Sequence, residues 1–298
     1  MSPQRPVSSL QPGTAEALDH RTRLDYRGMT TDPGGPPQAR SPARRVLCRS
    51  SAPVHGTLFI PPRPAAGAVV IGGSGGSEPA YVAEALAAEG LAALSVAYFA
   101  RPGLPDTLSG INLEYFGSAL ELLRSELPAG VPVAIIGMSR GSEAALLAAI
   151  HLQPAVAGVV ATVPGNVVAG GIPDGPAWLL DGRSLPWTDH SGPACDNPAA
   201  VIPVERVPGR ILLVAAGADT VWPSAAMARA ISQRLRRHGD RHGHVLLEYP
   251  DASHSLGYLI PKLPLGLLPW GLDDDQATGT ARAQAWAGVL EFLRHLPS

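Results

Sequence analysis

The sequence predicts an α/β fold built on a doubly wound, mostly parallel sheet. Three observations carry the prediction. Short apolar runs recur at 68–71, 91–97, 131–136, 156–163, 210–216 and 244–249. Segments of helical period fall between them, and alternation of this kind marks parallel strands joined by crossover helices. The bulk composition also supplies a substantial core, with 298 residues, 45% of them apolar and 16% charged.

In chain order, residues 1–43 are rich in Pro, Gly, Ser, Thr and Arg with weak periodicity. They read as a flexible N-terminal arm ahead of one ordered domain at 44–298. RRVLCRS (44–50) and VHGTLFIPP (54–62) have strand character and predict a hairpin. Next comes a buried strand (68–71), a glycine loop (72–76), a helix (79–89) with Val82, Ala85 and Leu86 on one stripe, and a second strand (91–97). LEYFGSALELLRSE (113–126) predicts a helix presenting Leu113, Phe116, Leu120 and Leu123 on one face. The strand at 131–136 runs into a helix at 142–151, and further helices fit at 223–238 and 280–296. Two segments, 164–208 and 255–279, are long and rich in Pro, Gly and Trp. Loops of that length read as lid-like insertions, expected to rise over the C-terminal edge of the sheet.

Several function classes fall away. A net charge of -2 offers no attraction to nucleic acid or to an anionic membrane. No stretch reaches the roughly 18 apolar residues of a membrane span, and the first residues lack the apolar centre of a secretory signal. A cytoplasmic location is expected. Cys48 and Cys195 are too few for a disulfide framework or a metal pattern and read as free thiols. HGDRHGH (238–244) reads as a solvated turn rather than a metal cluster. No metal and no cofactor is expected.

The stretch that carries chemistry is VAIIGMSRGSEAALLAAI (133–150), which contains Gly137-Met138-Ser139-Arg140-Gly141. In G-x-S-x-G the serine sits on a sharp turn from strand to helix, lifted clear of the backbone. A serine hydroxyl needs a base in reach, and the base needs an orienting carboxylate, in the chain order Ser, acid, His. RILLVAAGADTVWPS (210–224) offers Asp219 just past a buried strand, and HVLLEYPDASHSLGY (244–258) offers His254 in the same way. Asp251 is the fallback acid, although it lies close to His254 in sequence. The loop Gly72-Gly73-Ser74-Gly75-Gly76 is suited to aim backbone N–H groups at a developing oxyanion. The expected donors are the amide of Arg140 and one from Ser74 or Gly75. The loop completes neither G-x-x-x-x-G-K-[ST] nor G-x-G-x-x-G, so a phosphate loop is disfavoured.

With these residues in view, the chain resembles the C-terminal catalytic domain of the acyl-CoA thioesterase / bile acid-CoA:amino acid N-acyltransferase family. The resemblance is carried, in family order, by residues 72–99, by LPDTLSGINLEYFGSALELLRS (104–125), by 133–149, by ADTVWPS (218–224) and by EYPDASHSLGYLIP (248–261). It implies an α/β-hydrolase fold, and it is similar at greater distance to the dienelactone hydrolases, which use cysteine where this chain has Ser139. Many family members carry a β-sandwich domain ahead of the hydrolase domain, whereas about forty loosely patterned residues precede order here. The amino-acid-conjugating members use a cysteine nucleophile, so Ser139 matches the thioesterase type.

The expected function is therefore a serine acyl hydrolase, a thioesterase acting on an acyl-CoA or carrier-bound acyl chain through an acyl-serine. The alternatives are a carboxylesterase, lactonase or acyltransferase tailoring a secondary metabolite, or a binding protein on a hydrolase scaffold without catalysis. Ser139, Asp219 and His254 are the expected catalytic residues. Trp178, Trp187, Trp222 and Tyr258 are expected to line the substrate pocket, and Trp270 is a further candidate. The partner is a small acyl thioester or ester, and oligomeric state is not specified by the sequence.

Overall fold

The computed structural model describes residues 41–153, 155–189, 197–263, 266–267 and 275–297. The expected arm, as far as residue 40, lies outside the described residues, as do Cys195, Trp270 and parts of the two expected insertions.

Eight strands form one sheet: β1 (Ala43–Leu47), β2 (His55–Ile60), β3 (Gly67–Ile71), β4 (Ala92–Ala97), β6 (Val133–Met138), β7 (Gly158–Thr162), β10 (Arg210–Ala216) and β11 (His244–Tyr249). Their order is β1-β2-β4-β3-β6-β7-β10-β11. The hairpin β1–β2 and the pair β2–β4 are antiparallel, and every later pairing is parallel. A second sheet of three strands joins β5 (Ile111–Asn112), β8 (Trp178–Leu180) and β9 (Arg183–Ser184).

Both faces of the large sheet are covered, which is why its parallel strands read as unbroken apolar runs. Side chains alternate across it with the two-residue period of a strand. Ile71, Leu94, Ile135, Val159 and Leu213 face one core, shared with helices α2 (Glu114–Ser125), α3 (Arg140–His151) and α4 (Ser224–Arg237). Val70, Ala93, Ile136, Val160 and Leu212 face the other, shared with α1 (Ala80–Ala88) and α5 (Gln276–Arg294). This is an α/β-hydrolase fold.

Three expectations change. The short strands β5, β8 and β9 were not foreseen, and they tie part of the 164–208 segment to Ile111–Asn112 in a second small sheet. That segment is also not wholly a lid. Val167, Val168, Ala177 and Trp178 are buried, as are Ile202 and Val204 near its end. Finally, α5 begins at Gln276 rather than near 280, because the Asp275 carboxylate caps it by accepting from the Thr278 N–H at 2.6 Å.

Candidate active site

Ser139 stands between β6 and α3 with φ 52° and ψ −120°, a left-handed conformation that costs energy for a residue with a Cβ. The two flanking glycines make the turn possible by what they lack. A Cβ on Gly137 would lie 2.1 Å from the Gly141 carbonyl oxygen. One on Gly141 would lie 2.3 Å from the Gly72 oxygen and 2.7 Å from that of Ile71. Gly141→Ala is thus expected to destabilise the fold by about 3 kcal/mol, because backbone rather than a side chain must yield. A chemical denaturation midpoint close to the parent's would contradict this.

The turn brings Ser139 to residues far away in sequence. His254 Nε2 lies 3.1 Å from Ser139 Oγ, and His254 Nδ1 lies 2.8 Å from Asp219 Oδ2. An ionised carboxylate only accepts, so Nδ1 carries the proton and Nε2 is left to accept from the serine. Asp219 follows β10, and its Oδ1 accepts from the Val221 and Trp222 N–H groups at 2.9 and 3.2 Å. The carboxylate is therefore fixed on both oxygens, and its side chain is only 1% exposed. His254 opens a short 3-10 turn after β11, and Thr162 at the end of β7 ties that turn down by donating to the Gly257 oxygen at 3.1 Å. Asp251, the fallback acid, is exposed and does not supply the His254 partner.

The glycine loop lies beside the serine. A Cβ on Gly73 would come within 3.3 Å of Ser139 Cβ, so Gly73 packs directly against the candidate nucleophile. Ser74 and Gly75 line the cleft from more exposed positions. The Tyr98 hydroxyl, fully buried, reaches the Gly72 and Gly73 oxygens at 3.0 and 2.9 Å and pins the loop from beneath. Sequence reasoning missed Tyr98. Its signal was a polar tip just past the C-terminal end of a buried strand.

Arg140 follows the serine at the first position of α3, where free N–H groups and the positive end of the helix dipole meet. Its side chain is buried and clamps the segment beyond β7, donating to the Ala169 and Gly170 oxygens at 2.8 Å each. Glu143, one turn on and 0% exposed, faces the Arg140 Nε at 3.2 Å. Its Oε2 accepts from the Ala169 N–H and the Trp178 indole N–H. Burial pushes the Glu143 carboxyl above the usual range, and the Arg140 charge opposes that shift. Truncating one member of a buried pair strands the other charge. Glu143→Ala is therefore expected to cost about 3–5 kcal/mol of stability, read as a lower denaturant midpoint.

The three described tryptophans expected in the pocket are packed into the fold to different degrees. Trp178 is 0% exposed and belongs to the core beneath Glu143. Trp187 is half-buried against Gly170. Trp222 buries its ring edge-on to the His254 imidazole, with centroids 6.1 Å apart, and donates to the Val163 oxygen. None of the three is among the described residues that line the cleft around Ser139. Tyr258 does line it. The cleft holds about 380 Å³ and contains Ser139 and His254. A larger cleft of about 650 Å³ lies at the N-terminal edge of the sheet, around Arg124, Val133 and Arg210, away from this chemistry. In the turn at 238–244, His244 is bonded to Asp240 at 2.8 Å and to Ser232 at 2.6 Å.

Residues 190–296 match a family model described as BAAT / acyl-CoA thioester hydrolase C terminal. Human acyl-coenzyme A thioesterase 2, mitochondrial, is 31% identical over 277 residues, 82% of this chain and 55% of that protein. Mouse peroxisomal succinyl-coenzyme A thioesterase is 30% identical over 289 residues, 86% of this chain and 66% of that protein. Rat acyl-coenzyme A amino acid N-acyltransferase 2 is 30% identical, across 81% of this chain and 63% of its own length. The chain thus spans about half to two thirds of the length of these curated relatives. Among solved structures, a dienelactone hydrolase-like promiscuous phosphotriesterase from metagenomic libraries superposes with a TM-score of 0.58 at 18% identity, covering 87% of this chain and 100% of that one. A dienelactone hydrolase from Anabaena variabilis superposes with a TM-score of 0.52 at 21% identity, with the same coverage. At such identities the likeness speaks for the fold. Among the described residues no helix is long and apolar enough to cross a membrane.

Proposed function

The chain belongs to the family of BAAT / acyl-CoA thioester hydrolase C-terminal domains, and from that premise we propose that it is a serine acyl hydrolase whose substrate is an acyl thioester. The observation that carries the reading is the hydrogen-bonded series Ser139–His254–Asp219 at a left-handed turn between strand and helix.

In this mechanism Ser139 Oγ attacks the acyl carbonyl carbon while its proton passes to His254 Nε2. Asp219 holds the imidazole in the required tautomer and stabilises it once charged. The carbonyl oxygen becomes an oxyanion, met by the Arg140 N–H at the start of α3 and by an N–H of the glycine loop. The carbon–sulfur bond then breaks, and His254 gives its proton to the departing thiolate. Water enters, loses a proton to His254 and attacks the acyl-serine. Its carbon–oxygen bond breaks, Ser139 regains the proton, and a carboxylic acid leaves.

Hydrolysis is preferred over transfer to an amine because the acyl group rests on oxygen. An oxyester is less open to amine attack than a thioester. No cofactor enters this scheme, and a cytoplasmic setting belongs to the same proposal. The test is thiol release from a panel of acyl-CoAs, alongside turnover of matched p-nitrophenyl esters. Release that favours the CoA esters and disappears in Ser139→Ala supports the proposal. Turnover of oxyesters alone would move the protein to the esterases.

A further inference from the structure

Ser139, Asp219 and His254 come from three separate loops, and the end of β7 is bonded to all three loops. β7 lies between β6 and β10, with Thr162 beside Met138 on one side and Val214 on the other. Ser139 follows β6 directly, and its N–H donates to the Thr162 oxygen at 2.9 Å. His254 comes from beyond β11, yet its 3-10 turn is bonded to the same residue. The Thr162 hydroxyl lies 3.1 Å from the Gly257 oxygen and 3.4 Å from that of Gly137. It has one proton to give, and the shorter distance assigns that proton to Gly257. Thr162 is buried, and it holds Ser139 by its main chain and the His254 turn by its side chain.

The next residue extends the junction to the third loop. Val163 has φ 41°, which a β-branched residue adopts only where its surroundings over-determine it. Its N–H donates to the Val214 oxygen at 2.7 Å, and its own oxygen accepts from the Trp222 indole N–H at 3.0 Å. Trp222 in turn gives its main-chain N–H to Asp219 Oδ1 at 3.2 Å. A Cβ on Gly257 would lie 2.7 Å from Val163 Cγ2, so the His254 turn rests directly on this side chain. Backbone strain of this kind gathers at functional sites.

The sheet itself does not need the Thr162 hydroxyl. Valine would keep the same ladder and fill nearly the same volume. What the hydroxyl adds is a bond out of the sheet, to the turn that carries the imidazole. We propose that Thr162 is a positioning residue, whose hydroxyl holds the 3-10 turn where His254 Nε2 stays in hydrogen-bond reach of Ser139 Oγ. The rate of the chemical step then depends on a group that touches no reacting atom, because small misplacements of a base are costly. The proposal rests on the reading of Ser139 and His254 as nucleophile and base.

The experiment follows labelling of Ser139 by a fluorophosphonate probe, which needs an activated serine and no particular acyl group. The limiting rate and the half-saturating probe concentration are measured for the parent, Thr162→Val, Thr162→Ser and Thr162→Ala, with circular dichroism reporting the fold of each. Parent against valine, and serine against alanine, each isolate the hydroxyl. In both pairs its loss is expected to lower the limiting rate about tenfold while the half-saturating concentration holds. A merely structural role would reduce the fraction labelled and leave the rate of the folded molecules alone. Equal limiting rates within either folded pair would overturn the proposal, and a variant that does not fold leaves the other pair to decide. A parent that is never labelled at Ser139 refutes the reading of Ser139 instead. The Thr162 assignment is then decided by the distance from Ser139 Oγ to His254 Nε2 in crystals of Thr162→Val or Thr162→Ala. The parent's 3.1 Å, if kept, overturns the assignment, and a separation beyond hydrogen-bond reach sustains it.

Discussion

Ser139→Ala is expected to lower kcat by about four orders of magnitude or more while the protein stays folded. The magnitude follows from the way the groups act together. On the proposed mechanism there is no acyl-enzyme without Oγ, and His254 and Asp219 lose the atom they serve, so the covalent route is gone. Some acceleration over water is expected to survive, because on the same proposal the Arg140 amide and the glycine loop still meet a developing oxyanion. The fold is spared because the Ser139 main chain carries the turn. Its N–H donates to the Thr162 oxygen at 2.9 Å, and its carbonyl accepts from the Ser142 N–H at 2.8 Å. Alanine keeps both bonds. Circular dichroism matching the parent, with turnover near background, is the expected pair of results.

Asp219→Asn is expected to cost about 10³- to 10⁴-fold in kcat with little change in stability. The asparagine oxygen can still accept from the Val221 and Trp222 N–H groups that Asp219 Oδ1 holds now. Its NH₂ then faces His254 Nδ1, where Asp219 Oδ2 now lies 2.8 Å away. Two donors cannot meet there, so the imidazole gives up the Nδ1 proton and carries one on Nε2 instead. In that tautomer Nε2 cannot accept from Ser139. The signature is a loss in kcat with KM nearly unchanged, measured beside an unaltered denaturant midpoint. Equal loss in Asp251→Asn would shift the orienting role away from Asp219.

The large sheet was legible because its strands are buried on both sides. Val69, Val70 and Ile71, or Ile135 and Ile136, have no polar position to interrupt them, and the helices between carry a clear apolar stripe. The serine turn was legible because glycine is required on both sides of Ser139, where backbone oxygens crowd. Asp219 and His254 were expected from chain order and from their places past strand ends, and the fold brings them into one hydrogen-bonded series with Ser139. What stayed hidden depends on tertiary contact. Strands of two or three residues such as β5 and β9 are too short to show a period. The start of α5 was obscured by Thr278, Gly279 and Thr280, poor helix formers that follow its Asp275 cap. Trp178 looked like a pocket residue, since nothing local reveals that its indole ends on Glu143. Tyr98 and Tyr81 both lie near the glycine loop, yet the Tyr98 hydroxyl bonds it while that of Tyr81 has no partner among the described residues, a distinction only packing makes.

The measurement that tests the central claim most directly is the intact mass of the protein after brief incubation with acyl-CoAs of different chain length. The account predicts a transient gain equal to one acyl group, located on Ser139 by peptide mapping. It predicts a far slower gain in Asp219→Asn, and none in Ser139→Ala. Turnover with no Ser139 adduct under any condition, or an adduct that persists in Ser139→Ala, would contradict it.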